Sequence, residues 1–310
     1  MNVNKMNTRY VVISPVRDEV EFLPRVIKSM ESQTIQPLEW VVVDDGSTDG
    51  TTEMLLEAAA RLSWMNVVVK PDRGERSVGP GVVEAFYYGY DRMKSQEYDF
   101  IAKMDGDIEF DPTYVETLIS YFEKDPYLGS ASGKIFLPVG DKLVEERTSD
   151  EMTIGAFNFY RRKAFEDIGG FVREVMWDGI AYHRARIAGW RTRSIADPRL
   201  SFIHKRLMGS SHKSILHGRV RWGRGQYFMG THPLYIMAIT AYRMLEKPFF
   251  IGGMGILTGY LTSALKRMKR YGDDAFRKSL HAWQMERLKI GERLEQIPAP
   301  DSTLYTFSNS

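Results

Sequence analysis

Residues 98–110 read YDFIAKMDGDIEF, an aromatic and aliphatic run with the character of a buried strand that closes on three carboxylates within five residues. Crowded carboxylates repel one another unless a donor or a cation compensates them. In an open α/β sheet, ligands bind beyond the carboxyl ends of the strands. The fold therefore turns on whether other strands end in the same way.

Two others do. The run YVVIS at 10–14 leads into Pro15, Val16, Arg17, Asp18 and Glu19, and LEWVVVDD at 38–45 leads from the paired Asp44 and Asp45 into Gly46 and Ser47. A further short run, MNVVVK, occupies 65–70. Each is β-branched or aromatic, as a strand buried on both faces should be. Helical periodicity fills the gaps, with Phe22, Val26, Ile27 and Met30 on one apolar face, Met54, Leu55, Ala58, Ala59 and Leu62 on another, and Val82, Val83, Phe86, Tyr90 and Met93 on a third. Such alternation predicts a mainly parallel central sheet with helices on both faces. One crevice at its carboxyl edge can collect Arg17, Glu19, Asp45, Asp105 and Asp107.

Beyond Asp105 the spacing predicts a helix over 112–125 with Pro112 in its first turn, and places Glu109 and Asp111 as loop-shaping or capping residues ahead of it. ASGKIFL at 131–137 and IGAFNFYRR at 154–162 read as strands, and DGIAYHRARIAG as a helix ending at Gly189.

Composition narrows the chemistry. The 310 residues carry 42 basic and 40 acidic side chains, a formal charge of +2, so no general field favours nucleic acid as a partner. The absence of cysteine excludes disulfides, thiolate zinc sites and cysteine nucleophiles. The opening MNVNKMNTRY has no apolar secretory core, which sets the expectation of a cytoplasmic protein. WVVVDD resembles a Walker B strand, but no Gly-x-x-x-x-Gly-Lys-Ser/Thr accompanies it, and the Gly-x-Gly-x-x-Gly fingerprint is missing. DGSTDG imitates half an EF-hand loop, yet its twelfth position is Leu56 and a strand-like run precedes it.

SPVRDE, DDGSTDGT and MDGD, in this order and each closing a strand, resemble the family 2 glycosyltransferases of GT-A fold, inverting enzymes that move a sugar from a nucleotide-diphosphate donor. The resemblance covers residues 9–204. It implies that Pro15, Arg17, Glu19, Asp44 and Asp45 hold the nucleotide, that Asp105 meets the ribose, and that Asp105 and Asp107 hold Mg2+ or Mn2+ on the diphosphate. Arg76, in DRGERSVGPGVVEAFYYG, is implied as a donor contact, beside glycines and a helix start suited to an anion. The family's acceptor-side base maps onto Asp178 in GGFVREVMWDG, with Trp177 where the family carries an acidic neighbour. An N-cap of the next helix is the other reading of Asp178. His204 is implied as a third metal or diphosphate contact, its other reading being a structural hydrogen-bonding residue. UDP is the family's default nucleotide. The acceptor expected is a glycan or a lipid-linked hydroxyl. GRVRW at 218–222 matches the Gln-x-x-Arg-Trp signature of processive synthases except at Gly218, which favours transfer of a single sugar.

The expected organisation is a catalytic domain over 1–215, a helical and partly apolar extension over 216–297, and a loose tail over 298–310. Residues 248–265 contain no charge but four glycines, followed by Lys266, Arg267, Lys269 and Arg270. Peripheral or re-entrant contact with the cytoplasmic membrane face and a hairpin packed on the catalytic domain both fit that pattern, with a full membrane span as the third reading. The rival functions are a nucleotidyltransferase, which would show a Gly-x-Gly-x-x-x-Arg type loop after its first strand, and a non-catalytic sugar-nucleotide binding protein. A glycosidase fits less well, since its paired carboxylates need neither nucleotide pocket nor metal.

Overall fold

A computed structural model describes residues 8–72, 74, 79–146, 148–204, 215–245, 249–272 and 274–290. Arg76 and the tail from 298 lie outside the described residues.

The chain opens with β1 (Tyr10–Val16), α1 (Leu23–Glu31), β2 (Glu39–Asp44), α2 (Thr51–Arg61), β3 (Met65–Val69), α3 (Pro80–Tyr90) and β4 (Phe100–Met104). It continues through β5 (Ile108–Phe110), α4 (Tyr114–Lys124), β6 (Leu128–Ser132), β7 (Ile135–Val139), β8 (Lys142–Glu145), β9 (Phe157–Arg161), α5 (Arg162–Asp167) and α6 (Trp177–Ile187). β10 (Arg191–Ser194) and β11 (Phe202–His204) precede the C-terminal helices α7 (Ile215–Met229), α8 (Pro233–Met244), α9 (Ile251–Leu265) and α10 (Asp274–Arg287).

Seven strands form the main sheet in the order β10-β6-β9-β4-β1-β2-β3. The half made of β4, β1, β2 and β3 is parallel, and β9 runs antiparallel between β4 and β6. Strand side chains alternate between faces, so Tyr10, Val12 and Trp40 enter one core with Leu118 and Phe159, while Val11, Ile13 and Val41 enter the other with Phe86 and Phe171. Burial on both faces explains why these strands read as continuous apolar runs. The two cores flank the sheet, and the parallel half aims its carboxyl ends at one edge.

The region after β4 departs from the sequence expectation in two places. The helix begins at Tyr114, not at Pro112, because the Asp111 carboxylate accepts from the Thr113 backbone N–H at 2.8 Å and from its hydroxyl at 2.7 Å, forming a turn ahead of the helix. ASGKIFL is two strands, β6 in the main sheet and β7 in a second sheet of order β5-β11-β7-β8. The chain leaves one sheet for the other at Lys134, whose buried ammonium donates to Ser194 Oγ at 2.7 Å and pairs with Asp150. Glu109 lies within β5, opposite Ile203 of β11.

Among the C-terminal helices, α9 packs against both α7 and α8. α10 is tied to α6 through a cluster of Ile180, Met229, Phe276 and Leu280. No described helix is long and apolar enough to cross a membrane.

Candidate active site

The loops after β1 and β2 are stitched together by short polar side chains. The Asp18 N–H donates to Ser47 Oγ at 3.0 Å, the Thr48 N–H to Asp18 Oδ1 at 2.9 Å, and the Glu19 N–H to Thr51 Oγ1 at 2.9 Å. Asp18 takes a left-handed backbone conformation, φ 53°, to make this exchange. Arg17 then clamps three strand ends, donating to the Asp45 carbonyl at 2.7 Å and pairing with Asp72 at 2.9 Å. Pro15 sits in register with Val43 in β1.

The adjacent aspartates of β2 divide their work. Asp44 is fully buried, one oxygen accepting the Ser47 N–H at 2.9 Å and the other the Thr52 hydroxyl. Its carboxylate is spent on holding the loop. Asp45, one residue on, pairs with Lys70 at the end of β3 at 3.0 Å.

At the end of β4 the turn Asp105-Gly106-Asp107 meets the first loop closely. A Cβ at Gly106 would stand 2.7 Å from Val16 Cγ1 and 3.4 Å from Glu19 Cγ, so glycine lets the turn sit against β1 and brings buried Glu19 beside it. The Asp105 N–H donates to the Ala156 carbonyl at 2.8 Å. Asp107 directly precedes β5, which pairs antiparallel with β11 so that Ile108 faces His204. This pairing sets His204 Nε2 3.1 Å from Asp107 Oδ1. Ligand atoms of Asp105, Asp107 and His204 all lie within 4.8 Å of one another. Two carboxylates and an imidazole form an oxygen-rich mixed set that can hold a divalent cation, the carboxylates suiting Mn2+ or Mg2+.

Lys103 was not singled out in the sequence, although a lysine inside a buried strand is itself a signal, since lysine is rarely buried unless paired. Its ammonium pairs with Asp105, donates to the Gly155 carbonyl at 2.8 Å and lies 5.4 Å from the Trp177 ring centroid. Trp177 is held edge-on against Phe171, centroids 4.7 Å apart. Asp178 follows in the first turn of α6, where its Oδ1 accepts the N–H of Gly179 at 2.8 Å. That bond is to the adjacent residue, whereas an N-cap would accept from two or three residues on. The N-cap position belongs to Met176, at φ 68°. Burial pushes the Asp178 carboxyl above the ordinary carboxylate range, while the Gly179 N–H and the charge of Lys103 pull it back. The outcome is a half-buried carboxyl that favours its proton more than a solvated aspartate does.

The seven-stranded order with one reversed strand, and an acidic turn closing the strand beside β1, define the GT-A architecture of glycosyltransferases. Solved structures share it. GalNAc-T7 with UDP, GalNAc and Mn2+ superposes with a TM-score of 0.57 at 14% identity, over 92% of this chain and 57% of that one. The mannosyltransferase PcManGT of Pyrobaculum calidifontis, in complex with GDP-Man and Mn2+, gives 0.52 at 15% over 91% and 83%. S. aureus TarS 1-349 in complex with UDP gives 0.53 at 14% over 84% and 72%. At such identities the likeness speaks for the fold.

Sequence supplies the family. Residues 11–167 match glycosyl transferase family 2, and the chain belongs to that family. It is 31% identical over 122 residues to a 4,4'-diaponeurosporenoate glycosyltransferase of Staphylococcus haemolyticus, covering 39% of this chain and 30% of the relative. It is 21% identical over 251 residues to a poly-beta-1,6-N-acetyl-D-glucosamine synthase of Staphylococcus aureus, covering 71% of this chain and 58% of the relative. The chain thus spans less than two thirds of either relative.

Proposed function

We propose that this glycosyltransferase moves one sugar, with inversion and with a divalent metal, from a nucleoside-diphosphate donor to a hydroxyl of a glycan or lipid-linked acceptor at the cytoplasmic side of the membrane. The observation that carries the reading is the convergence of Asp105, Asp107 and His204 at the end of β4, with Lys103 paired to Asp105 and acting by its charge on Asp178. UDP is the proposed nucleotide, in keeping with the UDP of the TarS and GalNAc-T7 structures, and GDP is the alternative offered by PcManGT. The catalytic unit is assigned to 1–215 and the helical extension to 216–297.

In this reading Asp45, Glu19, Arg17 and Pro15 form the nucleotide crevice, with Asp44 supporting it from beneath. Arg76 is retained as a donor contact from the sequence. Asp105, Asp107 and His204 would hold Mg2+ or Mn2+, which supplies positive charge where the leaving diphosphate gains negative charge. Lys103 keeps Asp105 in place, and its charge also acts on Asp178. Asp178 takes the proton of the acceptor hydroxyl as that oxygen bonds to the anomeric carbon and the bond to the diphosphate breaks. A nucleotidyltransferase would have no use for a base at Asp178, and a binding protein would turn over no donor.

A thermal-shift screen of nucleoside diphosphates with and without Mn2+ tests the donor site, because a ligand at 100 times its dissociation constant adds about 2.7 kcal/mol to the folded state. UDP should raise the melting temperature with Mn2+ and much less after chelation. Equal shifts in both conditions would remove the metal from the reading.

A further inference from the structure

Helices α8 and α9 are built inside out. Most inward positions of α9 are small, Gly252, Gly253, Gly255, Gly259 and Ser263 being buried beside Ile256 and Tyr260. A Cβ at Gly259 would stand 2.0 Å from the Val220 carbonyl oxygen of α7, so the two backbones touch without intervening side chains. The outward positions are Ile251, Met254, Thr258, Leu261 and Leu265, every one exposed and none charged. Leu265 is 84% exposed. α8 repeats the pattern with Leu234, Met237 and Ala241 outward, Met237 at 61%. The connection between the helices presents Phe249 at 55% and Phe250 at 67%.

A helix at a water-facing surface normally carries charge outward. So many exposed apolar side chains on two packed helices mark a contact with protein or membrane, and the surrounding charge decides between them. Exposed Lys266, Arg267, Lys269 and Arg270 follow α9 directly. From 215 to 272 the sequence holds nine basic residues and one acidic residue, Glu246. Apolar stripes edged by cations match a bilayer that bears anionic lipid. The 15 residues of α9 reach only about 22 Å, short of a hydrocarbon core of about 30 Å, so the helix suits the surface of the bilayer and not its full depth.

We propose that the α8–α9 face docks on an anionic membrane surface, its apolar stripes entering the boundary between headgroups and acyl chains while the basic cluster meets the lipid phosphates. The inference extends the reading of a glycan or lipid-linked acceptor, and the fold connects the two. α9 lies on α7, and α7 at Gly225 lies against Met176, where a Cβ would stand 2.5 Å from Met176 Cγ. Met176 opens the helix that carries Asp178. Docking would thus leave two helices, α9 and α7, between the lipid surface and the helix that carries the acceptor-side base.

The test is flotation of the full chain with phosphatidylcholine vesicles, with and without phosphatidylglycerol. The wild type should float with anionic vesicles and remain below with neutral ones. A triple change, Lys266→Gln, Arg267→Gln and Lys269→Gln, should weaken partition about 100-fold, each basic residue near the surface contributing about fivefold. Met254→Glu with Leu261→Glu should abolish it. Circular dichroism melting, unchanged, shows that these variants remain folded. The proposal is overturned if the wild type does not float, if the basic variant floats as well as wild type, or if light scattering shows a dimer that the Met254→Glu, Leu261→Glu pair dissociates while vesicles are ignored. The assay requires no sugar transfer, so its failure leaves the proposed reaction standing, and loss of the reaction leaves the vesicle result standing.

Discussion

Replacing Asp178 by asparagine separates catalysis from stability. Asparagine preserves shape and can still accept the Gly179 N–H, but it cannot take a proton. A positioned general base contributes about 10²–10⁴ in rate, so kcat should fall by that factor, equivalent to about 3–5 kcal/mol of transition-state stabilisation. Donor binding, followed as the UDP-induced thermal shift, should be unchanged, because the proposed reading gives Asp178 to the acceptor and not to the donor. Stability should move the opposite way. Burial raises the Asp178 pKa in the folded protein, so the folded state holds its proton more tightly than the unfolded chain does. As pH rises from the unfolded value of about 3.9 through the folded one, the wild type loses stability, and above that window it carries the cost of a partly desolvated charge. The Asp178→Asn protein lacks this slope, so its melting temperature at neutral pH should equal or exceed that of wild type. The acid limb of the wild-type kcat/KM profile should also sit above the ordinary carboxylate range. A loss of less than tenfold in kcat, or a variant that melts lower than wild type at neutral pH while its UDP shift persists, would refute the assignment.

Three further outcomes test other parts of the structure. Asp107→Asn and His204→Ala should each weaken the Mn2+-dependent part of the UDP thermal shift by about tenfold or more in metal affinity, read as the midpoint of a Mn2+ titration; an unchanged midpoint would remove that residue from the metal set. Ser14→Val takes away the acceptor 2.9 Å from the buried Trp40 indole N–H and should cost about 1–3 kcal/mol in urea unfolding. Gly259→Val forces the α7–α9 contact apart and should lower stability by about 1–3 kcal/mol in the same assay, which would fail if α9 were held loosely against α7.

The strand ends were legible because each belongs to a consecutive strand–helix unit whose local signals agree. β1, β2, β3 and β4 appear within a residue or two of the runs that predict them, and the acidic turns close three of them. Asp44 shows the limit of such reading. Adjacent aspartates look equivalent in sequence, yet the pleat sends one inward to Ser47 and Thr52 and leaves the other to meet Lys70. Lys103 was legible in principle, as a cation within a buried strand, but its meaning depends on Gly155 and Trp177, which arrive from distant segments.

The same distinction governs the two ends of the candidate site. Residues supplied by parallel βα units are fixed by the strand that carries them, so motif order alone places Arg17, Asp45 and Asp105 along one edge. His204 reaches Asp107 only because the second sheet pairs β5 with β11 in one antiparallel register, and a shift of one residue there would turn the imidazole to the opposite face. Orientation in α9 is nonlocal in the same sense. Composition shows that the helix is apolar and glycine-rich, and only contact with α7 and α8 decides that glycine faces inward and Met254 and Leu261 outward. A site completed by register and a surface completed by helix rotation are properties of packing, so substitutions in β11 or α7 that touch no substrate should still move, respectively, metal affinity and membrane partition.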